Sequence, residues 1–413
     1  MNEMQANLAA NAPANTQVNA LTPASEIQTR LGKLREALRQ GGIDAALVIQ
    51  KVDFFYFTGT AQQGWLYVPA EGGPVLMIFK DPDRARAESP LLVVSVASAS
   101  KIPEVIAEHG LPAPGILGLE LDVLPANQYL RFAKIFPGAR LADVSLAIRL
   151  LRAVKSDYEI AIIRQCAHFS DEIAAFAATY IREGMTEVEL GALLENHARN
   201  LGHQGIVRMR LFDSEMFVGH VLSGPEGTRQ SYLSSAIGGN GTSVAIGQGP
   251  SFKPFRRHEP IIIDFIFACQ GYGSDHTRIF SLGPLPDEML RIHEAMLVLQ
   301  EETRRLAVVG AICGDIYQAI AERVRQWGYS EHFMGFGERQ VRFIGHGVGL
   351  ELDEYPFIAL GQKLALREGM VMAIEPKMVI PSMGVIGIEN IHLLTAAGLQ
   401  RLTNFPDAVA TLP

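Results

Sequence analysis

Two aspartates in the second half of the chain stand in the pattern of a β-hairpin. Asp264 ends a run of three isoleucines, and Asp275 opens the next β-rich run after a predicted turn at residues 270–273. Because side chains alternate between the two faces of a strand, such a hairpin brings both carboxylates onto one face. A lone aspartate can cap a turn, but an unpaired carboxylate within an apolar strand costs several kcal/mol. Asp264 therefore needs a counter-charge.

Three further residues extend this pattern toward the C-terminus. His346 lies between two glycines in the apolar run "FIGHGVGL", where a core strand has no need of an imidazole. Glu375 closes one apolar run, and Glu389 lies in a second run fourteen residues later. The sequence offers no obvious buried Lys or Arg to neutralise four such carboxylates. We therefore predict that divalent metal ions supply the counter-charge.

The ligand set limits the choice of metal. Four carboxylates and one imidazole are more ligands than one tetrahedral zinc site uses, and they suit two ions about 3.5–4 Å apart that share bridging carboxylates. Oxygen and nitrogen ligands without thiolate favour Mn²⁺, Zn²⁺, Co²⁺ or Fe²⁺, and the sequence does not choose among them. We expect two divalent metal ions as cofactors.

The first third of the chain predicts a small α/β domain over residues 25–148. Residues 25–40 carry leucine and isoleucine at helical spacing behind a predicted Ser25 cap. "DAALVIQ", "WLYVP" and "GPVLMIF" follow as strands, the last two around a turn at residues 71–73. Strands and helices then alternate to about residue 148.

The rest of the chain, residues 149–413, predicts an α+β domain built on antiparallel sheet. We place the boundary near residues 149–156, where Ser156 and Glu159 form the pattern of a helix cap. The periodicity predicts long helices, joined by short strands that pair as hairpins. These helices cover residues 157–182, 187–201, 287–308 and 314–327.

Composition excludes several classes of protein. The formal net charge is -8, and adjacent basic residues occur only as isolated pairs such as Arg256–Arg257, which argues against a nucleic-acid partner. No apolar run reaches 18 residues, so no membrane span is expected. Residues 1–24 are rich in Ala, Asn and Pro, lack the pattern of a secretory signal, and predict a disordered tail. The 3 cysteines share no paired spacing, so we expect a reducing, cytoplasmic location.

The phrases around the five predicted ligands resemble those of the M24 metallopeptidases. These phrases are "IDF…GYGSDHTRIF", "GHGVGLE…E.P" and "AIEP…GIEN", and the ligands are separated by 11, 71, 29 and 14 residues. The family comprises Xaa-Pro aminopeptidases, Xaa-Pro dipeptidases (prolidases), methionine aminopeptidases and the metal-free creatinases. "GIDAALVI", "VDFFYFTGT" and "WLYVP" are similar to its creatinase-type N-terminal domain. The resemblance implies that domain followed by a pita-bread catalytic domain, usually in a homodimer.

The resemblance also implies roles for the five residues. Asp264 would bind one ion and His346 the other, Asp275 and Glu389 would bridge both, and Glu375 would complete the His346 side and take part in catalysis. A hydroxide that bridges the two ions would then cleave an amide bond in a small peptide, as in Xaa-Pro dipeptidases and aminopeptidases. Manganese is among the metals expected in such a site.

The chain departs from the proline-specific members at three positions. Asp353 stands where those members have a histidine that donates a hydrogen bond, and Ser231 stands where they have a second histidine. His220, eleven residues before Ser231, is a candidate to supply that imidazole, unless it is a strand residue that faces away. Gly387 stands where they have an arginine. The candidates for a relocated cation are Arg208, Arg210 and Arg229.

These departures leave three functions open. The first is hydrolysis of a dipeptide or another small amide. The second is a non-peptidase activity in the same family, either hydrolysis of a small molecule or a lyase reaction on a dimethylsulfoniopropionate-type substrate, with Asp353 as the base. The third is a binding module without metal, which the five retained ligands argue against.

Overall fold

The structure is a computed structural model that describes residues 21–210, residue 215 and residues 217–413. Of the predicted disordered tail, residues 1–20 lie outside the described residues, and the first helix begins at Ala24. The chain separates into two compact units, and the division falls between Arg152 and Ala153. In the described part of the chain, no helix is long and apolar enough to cross a membrane.

The N-terminal unit is built on one six-stranded sheet. Its strands are β1 (Ala45–Val48), β2 (Gly64–Pro69), β3 (Val75–Ile78), β4 (Val93–Ser95), β5 (Ile116–Leu119) and β6 (Arg140–Asp143). Its helices are α1 (Ala24–Gln40), α2 (Lys51–Thr58), α3 (Pro82–Glu88), α4 (Ile102–Glu108), α5 (Ala126–Ile135) and α6 (Ser145–Ala153). The strand order is β4-β3-β2-β1-β5-β6, and β2 pairs antiparallel with both β1 and β3.

Local sequence signals account for most of this unit. The three predicted strands are confirmed as β1, β2 and β3, and the predicted turn at residues 71–73 joins the last two. The predicted Ser25 cap is wrong: Pro23 is the N-cap residue of α1, and Ser25 lies inside its first turn. Proline fixes φ close to the helical value, so it starts the helix without a side-chain hydrogen bond.

The C-terminal unit carries four long helices, close to the predicted ranges. They are α7 (Asp157–Tyr180), α8 (Glu187–Asn200), α9 (Asp287–Leu306) and α10 (Cys313–Gln326). Ser156 and Glu159 form a reciprocal capping box at the start of α7, as predicted. Helix α7 packs against the central hairpin of the unit. Helix α7 therefore covers one side of the hairpin that carries Asp264 and Asp275.

The strands of this unit form three separate sheets. They are β7 (Gly219–Ser223), β8 (Ile261–Cys269), β9 (Tyr272–Leu282), β10 (Phe343–Gly347), β11 (Glu354–Ala359), β12 (Val371–Ile374), β13 (Lys377–Ile380), β14 (Gly384–Gly387), β15 (Asn390–Thr395), β16 (Gly398–Arg401) and β17 (Ala410–Leu412). The sheet orders are β17-β9-β8-β7, β11-β10-β12-β15-β16 and β13-β14. All of these pairings are antiparallel except that of β17 with β9.

Candidate metal centre

The β8–β9 hairpin places its two aspartates on one face, as the strand alternation predicts. Asp264 pairs with Thr277, and Asp275 pairs with Ile266, two residues farther along β8 than Asp264. Residues two apart on a strand share a face. Both carboxylates line a cavity of about 510 Å³. His276, the neighbour of Asp275, points the other way, and its Nε2 lies 3.7 Å from a carboxylate oxygen of Asp171 on α7.

His346 lies in the middle of β10, which pairs with β11 on one side and β12 on the other. Its Nδ1 lies 3.2 Å from the Gly347 carbonyl oxygen. A carbonyl oxygen only accepts, so Nδ1 must carry the proton that it shares with that oxygen. Nε2 then faces the carboxylates, 3.5 Å from Glu375 Oε1, 3.7 Å from Glu389 Oε1 and 3.9 Å from Asp275 Oδ2.

The two glutamates enter from the ends of two other strands. Glu375 directly follows β12, and Glu389 lies between β14 and β15. The backbone of Glu389 exchanges two hydrogen bonds with that of Thr277 on β9, each 3.4 Å long. The Thr277 hydroxyl donates to Glu389 Oε2 over 2.9 Å. These bonds join the central hairpin to the second sheet, so all five predicted ligands converge at one wall of the cavity.

A buried lysine stands among these carboxylates, and the interpretation that no buried basic residue was available is therefore wrong. Lys377 is 2% exposed, and its Nζ donates to Asp264 Oδ2 over 3.0 Å. The same ammonium donates over 2.8 Å to one oxygen of Glu375 and over 2.8 Å to one oxygen of Glu389. A sequence signal existed: Lys377 follows Glu375 by two residues, the spacing that puts neighbouring side chains of an extended segment on one face.

Gly387 makes room for this lysine. Strand β14 pairs Gly387 directly with Lys377 on β13. A Cβ atom at position 387 would lie 2.7 Å from Lys377 Cγ and 2.8 Å from Lys377 Cα. The space next to the Lys377 side chain is therefore open because position 387 carries glycine. Arg208, Arg210 and Arg229 are the predicted candidates for the relocated cation, and none of them lines the described part of the cavity.

The charges in the cluster shift one another strongly. Burial opposes the charged form of Lys377, but Asp264, Glu375 and Glu389 outweigh it and hold the pKa of Lys377 well above its ordinary value. Burial by itself would raise the pKa of Glu389, yet Lys377 and His346 lower it to about 2. Burial raises the pKa of Glu375 to about 7, against the attraction of Lys377. Only part of the negative charge is thus balanced by the protein itself.

The remaining ligand atoms fit one divalent ion. Asp275, His346 and Glu389 each offer an atom within 4.8 Å of the others, and Glu375 Oε1 lies beside the same imidazole nitrogen. Glu389 Oε1 is buried and accepts no hydrogen bond. An unpaired carboxylate oxygen aimed at an imidazole nitrogen is the arrangement that a hard divalent cation completes. The oxygens on the other side of the cluster already hold Lys377.

Asp353 lies close to the same histidine. Its Oδ1 is 3.4 Å from His346 Nδ1, and its side chain lines the cavity while 26% exposed. Its backbone has φ +60, a conformation that costs energy for a residue with a side chain. Burial raises the pKa of the Asp353 carboxyl, against the attraction of His346. The carboxylate can therefore orient the imidazole or reach a molecule in the cavity.

His220 and Ser231 differ in their relation to the cavity. His220 pairs with Asp264 across β7 and β8 and lines the cavity, so it does not face away. Burial lowers the pKa of His220 to about 4, and its Nδ1 has no hydrogen-bond partner. Ser231 is absent from the described lining, and its hydroxyl accepts from the Leu233 amide over 3.1 Å. Leu233 itself lines the cavity, so Ser231 shapes the wall from behind.

Comparison with known proteins matches both halves of the chain. Residues 161–396 match the model of metallopeptidase family M24, and residues 30–154 match the creatinase/prolidase N-terminal domain. The chain is 27% identical over 381 residues to a Xaa-Pro dipeptidase from Pyrococcus furiosus, which covers 91% of this chain and 98% of the relative. The matches confirm the predicted creatinase-type N-terminal domain and M24 catalytic domain.

Solved structures of similar proteins have the same fold as this chain. The prolidase from Pyrococcus horikoshii superimposes with a TM-score of 0.77 at 25% identity, over 92% of this chain and 99% of that one. A Xaa-Pro dipeptidase from Bacillus anthracis has the same fold, with a TM-score of 0.79 at 24% identity, over 94% of this chain and 100% of that one. The predicted pita-bread fold is thereby confirmed. The chain belongs to metallopeptidase family M24 and, by that membership, is a metal-dependent hydrolase.

Proposed function

We propose that the chain hydrolyses an amide bond in a small substrate, with a proline dipeptide as the first candidate. The observation that carries this proposal is the convergence of His346 and the carboxylates on one wall of the cavity of about 510 Å³. A cavity of that size accommodates a small ligand. The similarity to the Pyrococcus furiosus Xaa-Pro dipeptidase supports the choice of substrate class.

We assign separate roles in metal binding and proton transfer to the residues of the cluster. Asp275, His346, Glu375 and Glu389 would hold a divalent ion, which supplies Lewis acidity that activates water and polarises a carbonyl. The Nδ1 proton of His346 is held by the Gly347 carbonyl oxygen, which leaves Nε2 directed at the ion position. We assign to Glu375 the transfer of a proton from the attacking water to the leaving amine.

His220 is our candidate for contact with the substrate. Its lowered pKa, about 4, keeps the ring neutral near pH 7, so one ring nitrogen donates and the other accepts. Its place in the cavity wall and its unpaired Nδ1 support this role. Ser231 and Gly387 offer no comparable group at the positions where proline-specific relatives have histidine and arginine. The substrate is therefore held differently from that of those relatives.

The test is hydrolysis of Ala-Pro and Gly-Pro by protein loaded with Mn²⁺ or Zn²⁺. We expect free proline, and we expect its release to fall by at least about 100-fold in a His346→Gln variant, because the variant loses the imidazole ligand. Glu338→Gln, on an unburied 3-10 turn outside the cavity lining, is the matched control and should leave the rate unchanged. No proline at high enzyme concentration defeats the dipeptidase proposal.

A second function is favoured by the position of Asp353. Its carboxylate lines the cavity close to His346, where it is placed to abstract a proton as well as to orient the ring. The alternative is a non-peptidase reaction within the same family: hydrolysis of a small molecule, or a lyase reaction on dimethylsulfoniopropionate. If Asp353 is the base, Asp353→Asn abolishes turnover. If Asp353 only orients the ring, the variant keeps its activity, because the amide oxygen remains a possible acceptor beside His346 Nδ1.

We also propose that the chain works in the cytoplasm, as its cysteine usage indicates, and that it forms a homodimer, as the family resemblance implies. A small peptide or small molecule is its expected partner, and the net charge of -8 argues against nucleic acid. Light scattering on the purified protein measures the assembly directly. A monomeric mass at working concentration would contradict the homodimer.

A further inference from the structure

We propose that Lys377 permanently takes the position of one of the two cations that the ligand set predicts, so that the chain binds a single divalent ion. That ion lies on the His346 side of the cluster, between Asp275, Glu375 and Glu389. The inference concerns the number of metal ions and does not depend on which substrate is cleaved.

The first argument is the geometry around the ammonium. A lysine ammonium has three N–H donors. The Nζ of Lys377 has three carboxylate acceptors, at 3.0 Å on Asp264, 2.8 Å on Glu375 and 2.8 Å on Glu389. A divalent ion would need to approach the same oxygens to about 2.0–2.2 Å. The ammonium already occupies the space between them, and a second positive charge there would repel it strongly at low dielectric.

The second argument is that two carboxylates each direct one oxygen toward Lys377 and the other toward His346. Glu375 and Glu389 each turn Oε2 toward Lys377 and Oε1 toward His346. Nε2 of His346 lies 3.5, 3.7 and 3.9 Å from Glu375, Glu389 and Asp275 oxygens. Ligands at 2.0–2.1 Å in a tetrahedral site stand about 3.4 Å apart, so a small contraction closes this half around one ion.

The third argument is the unpaired oxygen of Glu389. Its Oε1 is buried without a hydrogen-bond partner, although its Oε2 accepts from both Lys377 and Thr277. A buried carboxylate oxygen is normally paired. The Glu389 oxygen on the Lys377 side is therefore paired within the protein, whereas the oxygen on the His346 side has no hydrogen-bond partner.

The lysine cannot easily leave. It begins β13, which pairs in register with β14, and Gly387 provides the space that its side chain fills. Only 2% of the residue is exposed, so moving the ammonium away would leave Asp264 without the cation it now contacts. Removing one partner of a buried ion pair is strongly destabilising. The position is therefore built into the strand, rather than adopted by a mobile side chain.

The experiment is a metal count on the full chain. Metal-free protein is titrated with Mn²⁺ by calorimetry, and the loaded protein is analysed by elemental analysis and electron paramagnetic resonance. We expect one ion per chain and the hyperfine pattern of an isolated Mn²⁺. Lys377→Ala should raise the count to two and produce the spectrum of an exchange-coupled pair, because Asp264 and the freed oxygens become ligands again.

Lys253→Ala is the matched control. Lys253 is a half-buried lysine of the same unit that pairs with one carboxylate, Glu259, and neither residue lines the described cavity. It should leave the count at one. Two ions or none in the wild-type chain would overturn the inference, and that measurement needs no variant to fold. One ion without proline release would leave the inference intact and defeat only the dipeptidase proposal.

Discussion

Two buried cations flank Glu389, and their surroundings differ. The Arg278 side chain is 1% exposed and that of Lys377 is 2% exposed. Arg278 donates mainly to neutral acceptors, namely the carbonyl oxygens of Pro406, Thr277, Glu389 and Phe405 and the side-chain oxygen of Asn390. Lys377 donates only to carboxylates. One cation therefore binds the backbone of Glu389, and the other binds its side chain.

The pKa values show what this difference does. Burial lowers the pKa of Arg278 to about 9, because Asp407, Asp171 and Glu389 offset only part of the desolvation and Arg401 adds repulsion. Lys377 is also buried, yet the four carboxylates around it, Asp264, Glu375, Glu389 and Asp275, outweigh burial and raise its pKa. A cation held by carbonyl dipoles, such as Arg278, links chain segments. A cation held by an excess of carboxylates, such as Lys377, lies where those carboxylates could otherwise bind a metal ion. We therefore expect Arg278 to affect the stability of the fold, and Lys377 to affect how much metal the protein binds.

The largest expected effect is that of Arg278→Met. The change leaves several buried carbonyl oxygens without their donor and removes one of the two arginines that contact Asp407, so we expect a loss of about 3–5 kcal/mol in the free energy of unfolding. Urea denaturation with and without Mn²⁺ measures it. Added metal should not restore the loss, because the vacated acceptors are neutral carbonyls away from the ion position. Recovery with Mn²⁺ would contradict the distinction between the two cations.

Lys377→Met should be rescued by added metal, unlike Arg278→Met. Without metal, the free energy of unfolding should fall by about 3 kcal/mol, because three carboxylates are left facing one another. With Mn²⁺ in excess, most of this loss should disappear, since an ion that binds only the folded state stabilises it. The measurement is the Mn²⁺-induced shift of the urea midpoint, which should be larger in Lys377→Met than in the wild type.

Gly387→Ala tests the space that the lysine requires. The added Cβ would lie 2.7 Å from Lys377 Cγ, so we expect a loss of about 2 kcal/mol from overpacking. Combining it with Lys377→Ala should recover part of that loss, because the contact with Cγ is removed while that with the backbone remains. A double-mutant cycle on urea midpoints measures the coupling. Strict additivity would mean that positions 377 and 387 are not one feature.

The prediction with the smallest expected effect compares two buried histidines, His346 and His392. Burial opposes the charged form of His346, but Asp353 and the glutamates hold its pKa well above the ordinary value. Burial lowers the pKa of His392, which lies near Arg401 and Arg304, to about 4. A folded pKa below the unfolded one stabilises the protein above the unfolded value, and this contribution is lost as the pH falls toward 4.

We therefore expect the free energy of unfolding to fall by about 1–2 kcal/mol between pH 7 and roughly pH 5 through His392. Urea midpoints measured across that range should fall less steeply in His392→Gln than in the wild type. Parallel curves for the two proteins would contradict the assignment.

The regular elements are predictable from the sequence because their signals are local. The β8–β9 hairpin follows from alternation and a glycine turn, and α7 follows from its Ser156 capping box. The sequence alone therefore predicts that Asp264 and Asp275 share one face of a hairpin. The ligand roles themselves stay predictions.

Lys377 was missed because a lysine after Glu375–Pro376 is typical of a surface turn, and its burial depends on a partner strand that local patterns do not reveal. Recognising that Gly387 lies opposite it required the register of that strand. The Ser25 cap was wrong for a related reason, since Pro23 starts the helix by its fixed backbone angle and leaves no hydrogen-bonding signature.

Lys377 is covalently part of the chain, and this matters when little metal is available in the medium. An ion at the neighbouring position exchanges with the medium, competes with other metals and is removed by chelators. An ammonium on a side chain does none of these, so half of the cluster keeps its positive charge when trace metals are scarce. The cluster can thus stay folded and ready to bind a divalent ion.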